Sequence, residues 1–199
     1  MPRRESTHSV EFVNSTERRT GMAISELDQK IVATEGINGA RPSLRVAVSA
    51  ETSASPEQVL AAARDFSERR AQIWRNVSTK RLEVHERGDG WAEVTEGTMI
   101  VGVFWERCHY DWSQPATVTA TVRSSSVFRP GSRFELRAIP RDGGGSEVEM
   151  VVSRDFRHGP KGTIARSVNH LGGRRLFGWY LRSTLAAIEK TLSDERKTS

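Results

Sequence analysis

GPKGTIARSVNHLGGRRLFGWYLRSTLAAIEKTL, residues 159–192, decides how the rest of the chain is read. Pro160 stands where a helix tolerates proline, because the N–H it lacks would have no intrahelical partner at the first turn. Leu171, Gly178, Leu181, Leu185, Ile188 and Leu192 fall on one seam at helical spacing, and Ile164 and Val168 continue it toward the N-terminus. The spacing predicts one long amphipathic helix. Gly172 and Gly173 interrupt it; each costs about 1 kcal/mol against alanine, so the pair predicts a bend or the close approach of a bulky neighbour. A closing helix of this length needs a concave apolar surface to lie on.

The preceding residues supply that surface. Leu44, Val46, Val48 and Ala50 alternate with Arg45, Ala47, Ser49 and Glu51, the period of a half-buried strand. Ser55, Pro56 and Glu57 then start a helix with Ser at the cap. Val59, Leu60, Ala63 and Phe66 follow at helical spacing, and a break near Ser67 makes two short helices. After them GDG, SQPA and the glycine-rich RDGGGS separate runs of alternating residues, as hairpin turns do. The count is about seven strands, one before the helices and six after. None of the loops is long enough for a parallel crossover, so the sheet is antiparallel.

The length of 199 residues, 36% of them hydrophobic, suits one domain and a tail. Residues 1–42 mix charges with Ser, Thr and Gly and end in the turn-rich NGARPS; they are expected to be a mobile tail, with Met22 as an alternative start. The domain is expected at 43–193 and a charged tail at 194–199. No apolar run is long enough to span a bilayer and the N-terminal residues lack a secretory apolar stretch, so a cytoplasmic location is expected. Cys108 is the only cysteine, which excludes an intrachain disulfide and multi-cysteine metal sites.

The formal net charge of +5 resides in residues 160–199, where eight basic residues face three acidic ones. Lys161, Arg166, Arg174, Arg175, Arg182, Arg196 and Lys197 would suit an anionic partner or membrane headgroups. A solvated helix face with C-terminal cations favoured by the helix dipole explains them equally well. No aromatic-interleaved basic motif accompanies the charge, so nucleic acid is not an expected partner.

Strand, two short helices, six strands and a long final helix resemble, in order, the START-like helix-grip (SRPBCC) superfamily of polyketide cyclase/dehydrase and lipid-transport proteins. The likeness spans residues 44–192 and rests on VSAETSASPEQVLAAARDF, ERCHYDWSQPATVTATV, FRPGSRFELRAIPRDGGGSEVEMVV and LRSTLAAIEKTL taken in sequence. It implies an α+β helix-grip fold: a strongly bent antiparallel sheet of about seven strands gripping the last helix around an apolar cavity. Members bind lipids, sterols, polyketides or plant hormones, and some are enzymes, so fold alone does not choose a function.

Period two assigns faces to the strands. Inward positions include Val46, Val48, Leu82, Val84, Val94, Thr98, Phe104, Cys108, Tyr110, Trp112, Phe134, Met150 and Val152. From these, with Val168 and Trp179 of the helix, the expected ligand contacts are Thr98, Phe104, Tyr110, Trp112, Phe134, Met150, Val168 and Trp179. Glu96, Glu106 and Arg154 share the inward frames. An unpaired charge in a dry interior costs several kcal/mol, so they either pair, meet water or meet a polar ligand. A hairpin turning near Val101 would set Glu96 opposite Glu106 and raise at least one carboxyl pKa, as proton transfer at an enolisable substrate requires. These three are the candidate catalytic residues. His85 and His109 fall on outward frames, His158 and His170 near or on the final helix, and no histidine has metal-ligand spacing to another ligand. Neither a metal nor a cofactor is expected. Cys108 reads as a packing thiol.

Three functions remain open at this point. The first is binding of a hydrophobic small molecule, lipid or polyketide-like, between sheet and helix. The second is a polyketide cyclase/dehydratase-type enzyme acting in the same cavity. The third is a module that uses the basic C-terminal helix for a partner or a membrane.

Overall fold

The computed structural model describes residues 44–99 and 103–198. The expectations for residues 1–42 and for the turn at Val101 lie outside the described residues. Seven antiparallel strands form one sheet in the order β1-β7-β6-β5-β4-β3-β2: β1 (Leu44–Thr52), β2 (Val77–Arg87), β3 (Trp91–Met99), β4 (Val103–Asp111), β5 (Thr117–Ser125), β6 (Arg133–Pro140) and β7 (Ser146–Arg154). Helices α1 (Pro56–Arg64) and α2 (Arg70–Ile73) stand between β1 and β2, and α3 (Pro160–Thr198) closes the chain. The sheet is strongly curled about α3, which makes this an α+β helix-grip fold. No described helix is long and apolar enough to cross a membrane.

The local reasons match the chemistry of the sequence. Ser55 caps α1 through a reciprocal box, accepting from the Gln58 N–H at 3.3 Å while Gln58 Oε1 accepts from the Ser55 N–H at 2.8 Å. The break between α1 and α2 is held by Asp65, whose carboxylate accepts from the Ser67 N–H at 2.9 Å. Val59, Ala63, Ile73 and Trp74 bury the inner side of this pair against Val118, Ala120, Leu136, Met150 and the α3 residues Leu181, Leu185 and Ile188. Glu189 ties α3 to the end of β1, its Oε1 accepting from Thr52 Oγ1 at 2.7 Å and from the Ser53 N–H at 2.8 Å.

Two expectations need correction. The seam of α3 holds from Gly178 to Ile188, but Ile164 and Leu171 are exposed. The cause is Gly173, at φ 42° and ψ −138°, a conformation suited to glycine. It breaks the helix and rephases the first segment, which buries Gly162, Ala165 and Asn169 instead. In β2, Val84 pairs with the buried Val94 and so keeps the inward frame, but it is exposed because β2 is the sheet's edge strand and its register shifts between Ser78 and Glu83 and between Val84 and Glu86. The charged C-terminal residues continue α3 through Thr198.

Candidate functional site

A cavity of ≈ 360 Å³ lies between the concave face of the sheet, α2 and the kinked part of α3. Its wall is mainly apolar: Phe104, Phe128, Phe134, Met150 and Val152 from the sheet side, Trp74 from the end of α2, and Val168, Leu176 and Phe177 from α3. Of the residues expected to contact a ligand, Phe104, Tyr110, Phe134, Met150, Val168 and Trp179 line it. Trp112 does not. It sits at the far end of β4, where its indole N–H donates to the Asp89 carbonyl at 2.8 Å and its ring lies 6.4 Å from Phe66. The backbone of Thr98 pairs with Phe104, and its side chain lies outside the described residues.

Glu96, Glu106 and Arg154 all face the cavity. The register of β3 and β4 sets Glu96 directly opposite Glu106, so two carboxylates meet on one concave face. Each is answered by a different arginine. Arg70 of α2 pairs with Glu96 through Nε and donates from Nη2 to Tyr110 Oη at 3.1 Å and from Nη1 to the Ala63 and Asp65 carbonyls. Tyr110 Oη in turn donates to Glu96 Oε2 at 2.8 Å. Both Glu96 oxygens and the Arg70 fork are thus engaged by protein, and Arg70 is 3% exposed. Its guanidinium also lies 4.5 Å from the centre of the Phe66 ring. Burial opposes the Arg70 charge, but Glu96 and Tyr110 overcome it and the net direction of its pKa is up. Burial, reinforced by the Glu96 charge, pushes the Tyr110 phenol well above its ordinary range.

The second pair is less closed. Arg154 Nη1 of β7 donates to Glu106 Oε2 at 3.2 Å across the hollow of the sheet, and the two side chains are 13% and 14% exposed. Arg154 also packs over Phe128 at 4.5 Å. Glu106 Oε1 accepts no hydrogen bond among the described residues. The Arg133 Nε is the only buried side-chain polar atom there without a partner, so Glu106 Oε1 keeps contact with the cavity space. Asn169 behaves alike: its amide N–H donates to the Ala165 carbonyl at 2.7 Å and its Oδ1 remains without a donor among the described residues. Burial holds the Glu106 carboxyl above the usual carboxylate range; Arg154 pulls against this and the Glu96 charge adds to it.

Arg70 was not foreseen as part of the site. The signal was there, since Phe66, Arg70 and Ile73 follow a helical frame that carries the arginine inward. Cys108 is 4% exposed in the cavity wall, with its thiol pushed far up by burial first and then by Glu106, as suits packing and not nucleophilic attack. Among the described residues no three His, Cys, Asp or Glu side chains gather as a metal would require.

Comparison with known proteins agrees with this architecture. Residues 43–193 match the family model described as polyketide cyclase / dehydrase and lipid transport. No curated protein sequence matches. Among solved structures, the fold resembles TTHA0849 from Thermus thermophilus at TM-score 0.61 and 14% identity, covering 74% of this chain and 99% of that one. It also resembles the ZhuI aromatase/cyclase from Streptomyces sp. R1128, at TM-score 0.61 and 16% identity over 75% and 95% of the two chains. A START superfamily protein from Mycobacterium smegmatis gives TM-score 0.57 and 14% identity over 75% and 97%. At such identities these likenesses establish the fold; the match over 43–193 establishes the family, and the chain belongs to the polyketide cyclase/dehydrase and lipid-transport family.

Proposed function

We propose that the protein binds, in the cavity between sheet and α3, an apolar small molecule that carries a hydroxyl group. The supporting observation is the state of the polar atoms in an otherwise apolar wall. Arg70, Glu96 and Tyr110 satisfy one another, whereas Glu106 Oε1 and Asn169 Oδ1 are acceptors left to the cavity. Apolar burial supplies affinity, at about 25 cal/mol per Å² of ligand surface removed from water. A donor on the ligand fixes its orientation, because a hydroxyl buried without a partner would forfeit its hydration.

The test uses paired probes, 2-naphthol and 2-methylnaphthalene, that differ in the hydroxyl. Glu106→Ala should weaken 2-naphthol by about tenfold or more, the value of a hydrogen bond to a charged acceptor, and leave 2-methylnaphthalene within a few-fold. Equal losses for both probes would remove Glu106 from the reading. Native mass spectrometry of protein from its own host, with extraction of what co-purifies, identifies the physiological ligand class.

A second reading, a cyclase/dehydratase-type enzyme, is favoured by the raised carboxyl of Glu106, since a carboxyl tuned upward exchanges protons more readily near neutral pH. Glu106→Gln would then lower turnover roughly a hundredfold while binding persists.

A further inference from the structure

Ile164 and Leu171, seven residues apart, share the face of the first α3 segment turned away from Ala165 and Asn169, and they are 51% and 90% exposed. Beyond the kink Trp179, 58% exposed, stands at the rim of the cavity. Val84 and Ile139 are the only other exposed large apolar side chains among the described residues, so three of five fall within sixteen residues of one helix. The charge around them has one sign. From Phe156 to Ile188 the sequence holds no Asp or Glu, while α3 carries Lys161, Arg166, Arg174, Arg175 and Arg182. All five are exposed, and none joins an ion pair among the described residues.

A single exposed leucine needs no explanation. Exposed Leu, Ile and Trp set among five cations without a counter-charge do. An acidic protein or a nucleic acid would answer the cations and leave Leu171 in water. A neutral apolar partner would cover Leu171 and strand the cations. The boundary between anionic headgroups and acyl chains satisfies both, and it is where tryptophan partitions.

We propose that α3, on either side of its Gly173 kink, docks on an anionic phospholipid bilayer. Ile164, Leu171 and Trp179 enter the acyl boundary and the five cations meet the headgroups, which sets the cavity rim against the lipid. Docking does not require an occupant in the cavity, so it stands or falls apart from the small-molecule reading.

The experiment is cosedimentation of the full-length chain with vesicles of phosphatidylcholine, alone or mixed with phosphatidylglycerol. Binding is expected to the mixed vesicles only and to fall steeply between low and physiological salt. Arg174→Gln with Arg175→Gln should lower it by roughly tenfold or more. Leu171→Ser should lower it roughly fivefold with an unchanged thermal melt. Leu171→Cys carrying an environment-sensitive fluorophore reports on what covers the site, since Cys108 is buried. Its emission should be solvent-like in buffer and shift on adding mixed vesicles. Four results overturn the proposal: no cosedimentation with either vesicle, equal binding to both, binding that Leu171→Ser leaves intact, or a fluorophore already in an apolar site before vesicles are added. The third marks a purely electrostatic contact, and the last marks a site covered by the chain itself or by a second copy.

Discussion

The Arg70–Glu96 and Arg154–Glu106 pairs answer the same problem, two glutamates facing each other across β3 and β4, and reach different states. Glu96 meets its arginine beneath α1 and α2, where a phenol and two carbonyls complete the set. Glu106 meets its arginine across the open hollow and keeps one oxygen unspent. Burial alone therefore does not mark a functional charge. The informative property is a hydrogen-bonding capacity that the protein leaves unused.

The largest test of this contrast is Arg70→Met. It leaves Glu96 buried without its cation and is expected to cost about 3–5 kcal/mol in urea unfolding, the penalty for breaking a buried pair from one side. A loss below about 1 kcal/mol would end the assignment of Arg70 and Glu96 to structure. Arg154→Met should cost less, about 1–2 kcal/mol, because Glu106 can protonate or recruit cavity water. If both substitutions cost the same, the two pairs do not differ as described.

The smallest effect sharpens the contrast by pH. The raised Glu106 carboxyl holds its proton more tightly in the folded chain than in the unfolded one. Its contribution to stability is fully present below the ordinary glutamate pKa and is lost as pH rises through the higher folded value. Glu106→Gln should flatten that fall in a series of thermal melts across mildly acid pH. Parallel profiles for the substituted and unsubstituted proteins would show that Glu106 does not titrate abnormally.

Much of the fold was legible because period two and helical spacing act locally, residue by residue. They placed β1 at Leu44, the capped helix at Ser55, and the inward set Phe104, Tyr110, Phe134 and Met150. The same rules failed where geometry departs from an ideal element. Ile164 and Leu171 were assigned to a seam that presumes an unbroken helix, and Gly173 breaks it. Val84 shares the inward frame of its partner Val94 yet is exposed, because β2 is the sheet's edge strand. Trp112 shares the inward frame of β4 but lies beyond the cavity's end, since alternation fixes a face and not a depth. The pairing of Glu96 with Arg70 joins residues 26 apart through a break in the helices, a contact that no local period encodes.

The opposition of Glu96 and Glu106 also bears on how the chain folds. Zipping β3 onto β4 is local and fast, yet it sets two like charges opposite each other and so is disfavoured while the hollow is dry. Relief comes from α2 on one side and from β7, 48 residues downstream of Glu106, on the other. Neither arginine answers both glutamates. Helix docking and closure of the sheet are thereby made interdependent, since drying the hollow before both arginines are in place would leave a buried carboxylate without its cation.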